Sequence, residues 1–278
     1  MNITIIGAGN GGQAMACHFT LLGHKVCLFN RQLSSISEIK STKKIILKGE
    51  IDGISYINKV TDNYQEALKN AEIIMVVTVA NAHKQIAFEV APFVNDGQIF
   101  ILNPGRSLGA IQFKKTFESV SSKRIYIAET QSLIYACRII ISGVVNIIGV
   151  KNKVPLSAIP STDTDYVLEK INSVFNCFIK ANNVLCTSLN NIGAILHPPI
   201  VLFNAANIER KNKFYFYRDM TPKISNFIKK LDKERLSIGK SYGLDLLSIT
   251  DWISFSYEGV TGNNLLTKIK NNPAYNEI

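Results

Sequence analysis

Cysteine is scarce in this sequence and follows no pattern: Cys17, Cys27, Cys137, Cys177 and Cys186 are odd in number and widely spaced, with no CxxC pair. That argues against a disulfide framework or a zinc centre, and no metal is expected. No apolar run is long and clean enough to span a bilayer, so no membrane partner is expected. The first residues lack a basic segment, an apolar stretch and a small-residue cleavage site, and lead directly into Ile3, Thr4, Ile5 and Ile6. A cytoplasmic location is the expectation. Acidic residues are the deficient charge, 21 against 31 Lys and Arg, for a formal +10. The lysines, such as Lys43, Lys44, Lys48, Lys229, Lys230 and Lys233, are scattered rather than striped among exposed aromatics. Nucleic acid is therefore not an expected partner, and the excess suits anionic small molecules.

What is present is an alternation of apolar strand-like runs with helical patterns. Asn2 to Ile6 reads as a strand, a helix begins near Gly12 with Ala14, Cys17, His18, Leu21 and Leu22 on one face, and Lys25 to Phe29 reads as a second strand. This order is that of a right-handed βαβ unit with parallel strands. A hairpin around Glu50 to Gly53 is expected to be inserted between Lys43 and Val60. The alternation resumes with helix Tyr64 to Lys69, strand Ile73 to Thr78, helix His83 to Phe93, strand Gln98 to Leu102, helix Gly109 to Val120 and strand Ile125 to Ala128. Hairpin strands from Arg138 to Val150 follow, Pro155 and Pro160 break the pattern, and a helix is expected over Asp165 to Phe175. The strands are apolar throughout, as in a sheet covered on both faces. Strand signals then run out. Beyond about Lys180 only helical patterns remain, interrupted at Gly193, Pro198, Pro199 and Pro222. The expected architecture is α/β, a doubly wound parallel-sheet domain over residues 1–180 followed by an all-helical domain over 181–278, with an active site in the cleft between them.

The first strand ends in Gly7-Ala8-Gly9-Asn10-Gly11-Gly12, a GxGxxG pattern lying between a strand and a helix. Glycines there permit a tight turn and a close approach of backbone to pyrophosphate, and the helix start supplies free N–H groups and a favourable dipole. In this context the motif predicts a Rossmann dinucleotide site. At the end of the second strand, where an NAD site offers a carboxylate to the adenine ribose, stand Asn30 and Arg31. Arg31 can pair with a 2′-phosphate, which favours NADP(H) over NAD(H). The alternative is that it faces solvent or stacks over adenine.

Three more strand ends fall where ligands sit in such sheets. Thr78 and His83 are expected to border the cofactor, as are Asn103, Pro104 and Gly105, which continue into Arg106 and Ser107. Arg106 can hold a substrate carboxylate, or simply decorate a turn. Glu129, Thr130 and Gln131 end another strand, with Cys137 nearby. His18 and His24 read as structural. His197, in Asn190-Asn191-Ile192-Gly193-Ala194-Ile195-Leu196-His197-Pro198-Pro199, is expected to leave regular helix because proline follows it. Its ring reads either as an acid/base group or as a hydrogen-bonded core residue.

Several stretches together resemble the octopine/nopaline, or opine, dehydrogenase family: GAGNGGQAMA at Gly7, NPGR at Asn103, AETQSLIYACR at Ala128, NNIGAILHPPIVLFN at Asn190, YGLDLLSITDW at Tyr242 and NNPAY at Asn271. The resemblance implies NAD(P)H-dependent reductive condensation, in which the amine of an amino acid joins the carbonyl of a 2-oxo acid and the imine is reduced to a secondary amine. It implies His197 as general acid/base, and Arg106, Gln131, Cys137 and Asn191 on the substrate side. The partners it implies are small molecules, with a homodimer or a companion chain as further options. Family members continue past the NxAY segment with an arginine that holds a substrate carboxylate and an aspartate that orients the histidine, whereas this sequence ends at Ile278. Asp251 could stand in, but its position suits a helix cap. Truncation, a split enzyme and an altered paralogue stay open, as do a reductase of a simple 2-oxo acid or polyol phosphate and a non-catalytic cofactor-binding protein.

Overall fold

The apolar, β-branched strands of the first half stack into one sheet, and the computed structural model describes them together with the rest of residues 1–275. The chain divides into two units, Met1–Ser188 and the part from Leu189 onward. The first contains β1 (Asn2–Ile6), α1 (Asn10–Leu21), β2 (Lys25–Phe29), α2 (Ser37–Thr42), β3 (Lys44–Gly49), β4 (Gly53–Tyr56), β5 (Lys59–Thr61) and α3 (Tyr64–Leu68). It continues with β6 (Ile73–Val76), α4 (His83–Val90), β7 (Ile99–Leu102), α5 (Gly109–Glu118), β8 (Tyr126–Thr130), β9 (Tyr135–Ile141) and β10 (Val144–Val150). It closes with β11 (Val154–Ala158), α6 (Thr164–Asn172), β12 (Phe178–Lys180) and α7 (Val184–Leu189).

Eight strands form the main sheet in the order β12-β11-β8-β7-β6-β1-β2-β5. All neighbours pair in parallel except β11 with β8. A sheet of this kind needs cover on both faces. One face packs Ile6, Ile74, Val76, Phe100 and Leu102 against Ile86, Val90, Phe113 and Phe117 of α4 and α5. The other packs Ile3, Ile5 and Met75 against α1, whose Met15, Cys17 and Phe19 are buried. Beyond α1 lies a second sheet, β4-β3-β10-β9, contributing Ile45, Leu47, Val145 and Ile147 to the same core. The expected hairpin is therefore real, as β3 and β4 pair antiparallel, but it does not enter the main sheet. Its β3 pairs in parallel with β10, from far along the chain, because α1 needs apolar cover on its outer side as well.

One expectation is corrected here. Pro155 does not break a strand: it lies within β11, where its carbonyl accepts from Gln131 N–H at 2.9 Å, and a strand position with no ladder N–H to give accommodates proline. The first compact unit extends to Ser188, and α7 is bound to its sheet by a buried carboxylate described below.

The second unit holds α8 (Ile192–Phe203), α9 (Ala205–Glu209), α10 (Pro222–Ser241), α11 (Ile249–Ser256) and α12 (Leu265–Lys270). Gly193, Pro198 and Pro199, expected to separate helices, lie inside α8, and His197 has helical surroundings. Proline's fixed φ fits a helix; its cost is the missing N–H. Here burial of Ile192, Leu196, Pro199 and Ile200 offsets that cost. A buried ion pair fastens the unit: Arg235 donates to Asp232 at 2.7 and 2.9 Å, to Leu189 O at 3.1 Å, to Asn190 Oδ1 at 3.0 Å and to the Leu247 carbonyl. Asp232 also accepts from Ile249 N–H at 2.8 Å. Asp251 sits in the first turn of α11, where Ser248 is the cap and donates its hydroxyl to Asp251 Oδ2 at 2.6 Å. By length and composition the stretch Val184–Phe203 could cross a membrane, contrary to the expectation of no such run. It is built as two helices, α7 and α8, with half of it buried inside the protein.

Candidate functional site

The turn after β1 is shaped for backbone rather than side chains. Gly7 has φ +107°, and a Cβ there would collide with the Val77 carbonyl and the Thr78 methyl. A Cβ at Gly12 would overlap the Gly7 carbonyl oxygen, whereas at Gly9 it would meet open space. The turn is thus closed behind and open in front, the shape a pyrophosphate requires. Gly9 caps α1 without a side-chain bond and the first turn has no acid, which leaves N–H groups and the positive end of the helix dipole for an anion. Leu133 covers Gly11 from the side.

Asn10 and Asn30 prove to be supports. Asn10 Oδ1 accepts from Ile139 N–H at 2.8 Å, fastening the helix start to the second sheet. Asn30 Oδ1 accepts from Ala8 N–H at 3.3 Å, while its Nδ2 donates to Gln32 O and Ser35 Oγ at 2.9 and 3.0 Å. Asn30 therefore joins the glycine turn to the loop carrying Arg31. Beside them opens a cavity of about 580 Å³ lined by Gly7, Phe29, Arg31, Tyr64, Thr78 and Glu89 among others. Arg31 is exposed there and has no ion-pair partner among the described residues. Tyr64 stacks on Phe29 at 4.0 Å and donates to Glu89 at 3.1 Å. Tyr64 and Glu89 were not anticipated. Tyr64 belongs to a short helix that local pattern reads only as amphipathic, and Glu89 lies on α4, brought to it by the fold.

At the ends of β6 and β7 the sheet leaves buried polar atoms without aligned hydrogen bonds: Thr78 Oγ1, both ring nitrogens of His83, and both amide atoms of Asn103. Burial holds the His83 imidazole down to about 4, with the nearby Thr78 backbone acting in the opposite sense and the Arg106 charge adding to the depression. His83 is thus a neutral imidazole packed against Gly109. The NPGR loop follows Asn103. Gly105 donates its N–H to Thr130 O at 3.1 Å and lies against the Glu129 carboxylate, leaving no room for a side chain. Arg106 and Leu108 have φ +62° and +60°, conformations that cost free energy outside glycine and gather at functional loops. Arg106 is exposed and forms no ion pair among the described residues.

Glu129 anchors the region from below. It is fully buried and accepts from Thr187 and Ser188 hydroxyls at 2.6 and 2.8 Å and from Ala110 N–H at 2.8 Å. Burial raises its carboxyl above the usual range against the pull of these donors. Gln131 is buried next to it in sequence. Cys137 lies in the second sheet, and burial pushes its thiol up to about 11, so it is a packing residue rather than a nucleophile. His18 is also structural, 2.7 Å from the Tyr135 hydroxyl.

In the helical unit Asn191 is the buried N-cap of α8. His197, on the same helix, is exposed, and its Nε2 lies 2.9 Å from Tyr217 Oη. Tyr217 was not anticipated either: twenty residues separate it from the histidine, in an aromatic-rich stretch that carries no motif. Taken together, the residues fit a dinucleotide in the sheet unit through Gly7, Gly9, Gly12, Arg31 and Thr78, and supply an imidazole on α8. Among the described residues no group of acidic, cysteine or histidine side chains could hold a metal.

Comparison with known proteins agrees with this division. Residues 180–278 match the family model "NAD/NADP octopine/nopaline dehydrogenase, alpha-helical domain", and residues 2–126 match "NAD-dependent glycerol-3-phosphate dehydrogenase N-terminus". An opine dehydrogenase of Arthrobacter sp. (strain 1C) is 33% identical over 276 residues, 99% of this chain and 77% of that protein. Among solved structures, an octopine dehydrogenase in complex with NADH and agmatine superposes with a TM-score of 0.79 at 18% identity, covering 99% of this chain and 75% of the other. A yersinopine dehydrogenase with NADP+ bound has a TM-score of 0.71 at 13% identity, covering 92% and 66%. These two share its fold.

Proposed function

Since the chain belongs to the opine dehydrogenase family and is an NAD(P)-dependent oxidoreductase, we propose that it joins the amine of an amino acid to the carbonyl of a 2-oxo acid such as pyruvate and reduces the resulting imine. The observation that carries this reading is the alignment with one opine dehydrogenase over both units, which brings the glycine turn and the His197 segment under a single relative. Gly7, Gly9, Gly12, Arg31 and Thr78 would hold the dinucleotide, which when bound supplies the hydride for the imine carbon. His197 takes a proton from the substrate ammonium group so that the nitrogen can attack the carbonyl carbon. It then returns that proton to the carbinolamine oxygen, which leaves as water. Arg106 offers two donors to a substrate carboxylate, and Gln131, Cys137 and Asn191 are the further residues of the proposed substrate side. Arg31, at a second-strand end that carries Asn30 and Arg31 instead of an acid, favours NADP(H) over NAD(H).

The test is the oxidation of NADPH and NADH by the purified chain with pyruvate and other 2-oxo acids, with and without a panel of amino acids. Amine-dependent oxidation is expected. Turnover with the oxo acid alone would replace this reading with that of a simple 2-oxo acid reductase. His197→Ala is expected to abolish turnover while retaining cofactor binding, and a mutant running at full rate would remove the histidine from the mechanism.

A further inference from the structure

Helix α4 forms one wall of the cavity beside the glycine turn, through Gln85, Ile86 and Glu89. Positions three and four apart share a helix face, so the three stand in a row along that wall. Ile86 is buried and apolar, whereas Glu89 brings a half-buried carboxylate. That carboxylate is held from two sides. Its Oε2 accepts from the Tyr64 hydroxyl at 3.1 Å and its Oε1 from Gln85 Nε2 at 2.8 Å. Tyr64 is fixed in turn by its stack on Phe29, with centroids 4.0 Å apart and planes at 17°. Burial, and after it the Glu89 charge, hold the Tyr64 hydroxyl well above its ordinary value, with Arg31 acting in the opposite sense. Tyr64 therefore stays a donor, within the fields of both charges.

The groups along this cavity follow the order of parts in a dinucleotide. The turn at Gly7 suits the pyrophosphate, and the end of β2 at Arg31 marks the adenine ribose. Beyond the ribose comes the base, and the wall left for it is Phe29, Tyr64, Ile86 and Glu89. Aromatic and aliphatic side chains suit the faces of a base. An ionised carboxylate only accepts, and the exocyclic amino group is the hydrogen donor on the edge of adenine.

Resting on the reading of this turn as a dinucleotide site, we propose that Glu89 determines specificity for the adenine base, its carboxylate accepting a hydrogen bond from the 6-amino group. Each carboxylate oxygen has lone-pair capacity beyond the one bond described for it, so taking the base displaces neither Tyr64 nor Gln85. A base with a carbonyl oxygen at that position would set acceptor against acceptor, a mismatch that costs binding. The two charges of the cavity thus divide the ligand, Arg31 facing the ribose and Glu89 the base.

The test is equilibrium binding to the full chain, by calorimetry, of NADPH and NADH, each against its hypoxanthine analogue, in which oxygen replaces the 6-amino group. The wild type should bind the adenine form ~10- to 100-fold more tightly. Glu89→Gln keeps the shape and an acceptor for Tyr64, and its amide can turn an N–H toward the new oxygen. It should melt like the wild type and bind the two forms nearly alike. Tyr64→Phe keeps the ring on Phe29 and removes the bond that aims the carboxylate, so the ratio should shrink there too. Equal binding of the two forms by the wild type, or an undiminished ratio in Glu89→Gln, overturns the proposal. Failure of every form to bind would overturn it together with the cofactor site. Adenine-selective binding without amine-dependent turnover would defeat the opine dehydrogenase reading alone, since the binding measurement needs no substrate.

Discussion

Thr187 donates its hydroxyl to Glu129 Oε1 at 2.6 Å, and both side chains are fully buried. Ser188 uses the same oxygen and Ala110 N–H the other. One carboxylate thus secures the end of β8, the start of α5 and α7. Removing it leaves the Ser188 hydroxyl and Ala110 N–H without their acceptor, leaves the Thr187 hydroxyl only the Val184 carbonyl at 3.0 Å, and opens a cavity beside Gly105. Glu129→Ala should destabilise the protein by about 3 kcal/mol or more in chemical denaturation. A loss below about 1 kcal/mol would mean that water replaces the carboxylate.

Gly9 and Gly12 should respond to alanine in opposite ways. Open space surrounds a Cβ at Gly9, while a Cβ at Gly12 overlaps the Gly7 carbonyl. Gly9→Ala is expected to melt like the wild type yet bind NAD(P)H at least ~10-fold more weakly, since the new methyl occupies the ligand's side of the turn. Gly12→Ala should lose about 3 kcal/mol or more of stability. Equal melting of the two variants would contradict the described shape of the turn.

The proposed preference for NADP(H) rests on Arg31. If it pairs with a 2′-phosphate, Arg31→Ala weakens NADPH binding by ~10- to 100-fold and leaves NADH nearly unchanged, as befits a charge-assisted hydrogen bond. Titration by protein fluorescence or calorimetry measures both. Equal losses would assign Arg31 to the part common to the two cofactors.

His18 and His83 are both held down to about 4 by burial, against an ordinary 6.5. Between these values the unfolded chain binds protons that the folded protein refuses. Their contribution is therefore fully present above pH 6.5 and is lost as pH falls toward 4, by at most about 3 kcal/mol for each. In urea unfolding, the stability of wild type relative to His18→Gln or His83→Gln should decline steadily across that interval on acidification. A difference independent of pH would mean that the rings charge as readily folded as unfolded.

The parts legible in sequence were those written in adjacent residues. Ile3 to Ile6 before the glycines, the even alternation of strand and helix, and the NPGR turn after β7 all express local chemistry. What escaped depended on partners distant in the chain. β3 was recognisable as a strand, but nothing near it announces pairing with β10. Pro198 and Pro199 read locally as a break, whereas the buried face of α8 outweighs them. Asn30 could be placed beside the ribose position, yet its bond to Ala8 N–H is a matter of three-dimensional approach. Tyr217 was invisible for the same reason, because an aromatic residue in an unpatterned stretch becomes specific only once a histidine is opposite it.

The two prolines inside α8 have an effect beyond interrupting a pattern. Neither Pro198 nor Pro199 has an N–H to give back to the carbonyl four residues earlier. The carbonyls of Ala194 and Ile195, three and two residues before His197, consequently lack the donor that an ordinary helix supplies four residues on. Whatever satisfies them comes from outside that regular ladder, so the stretch of α8 that bears the imidazole is also the stretch whose backbone depends least on the helix itself.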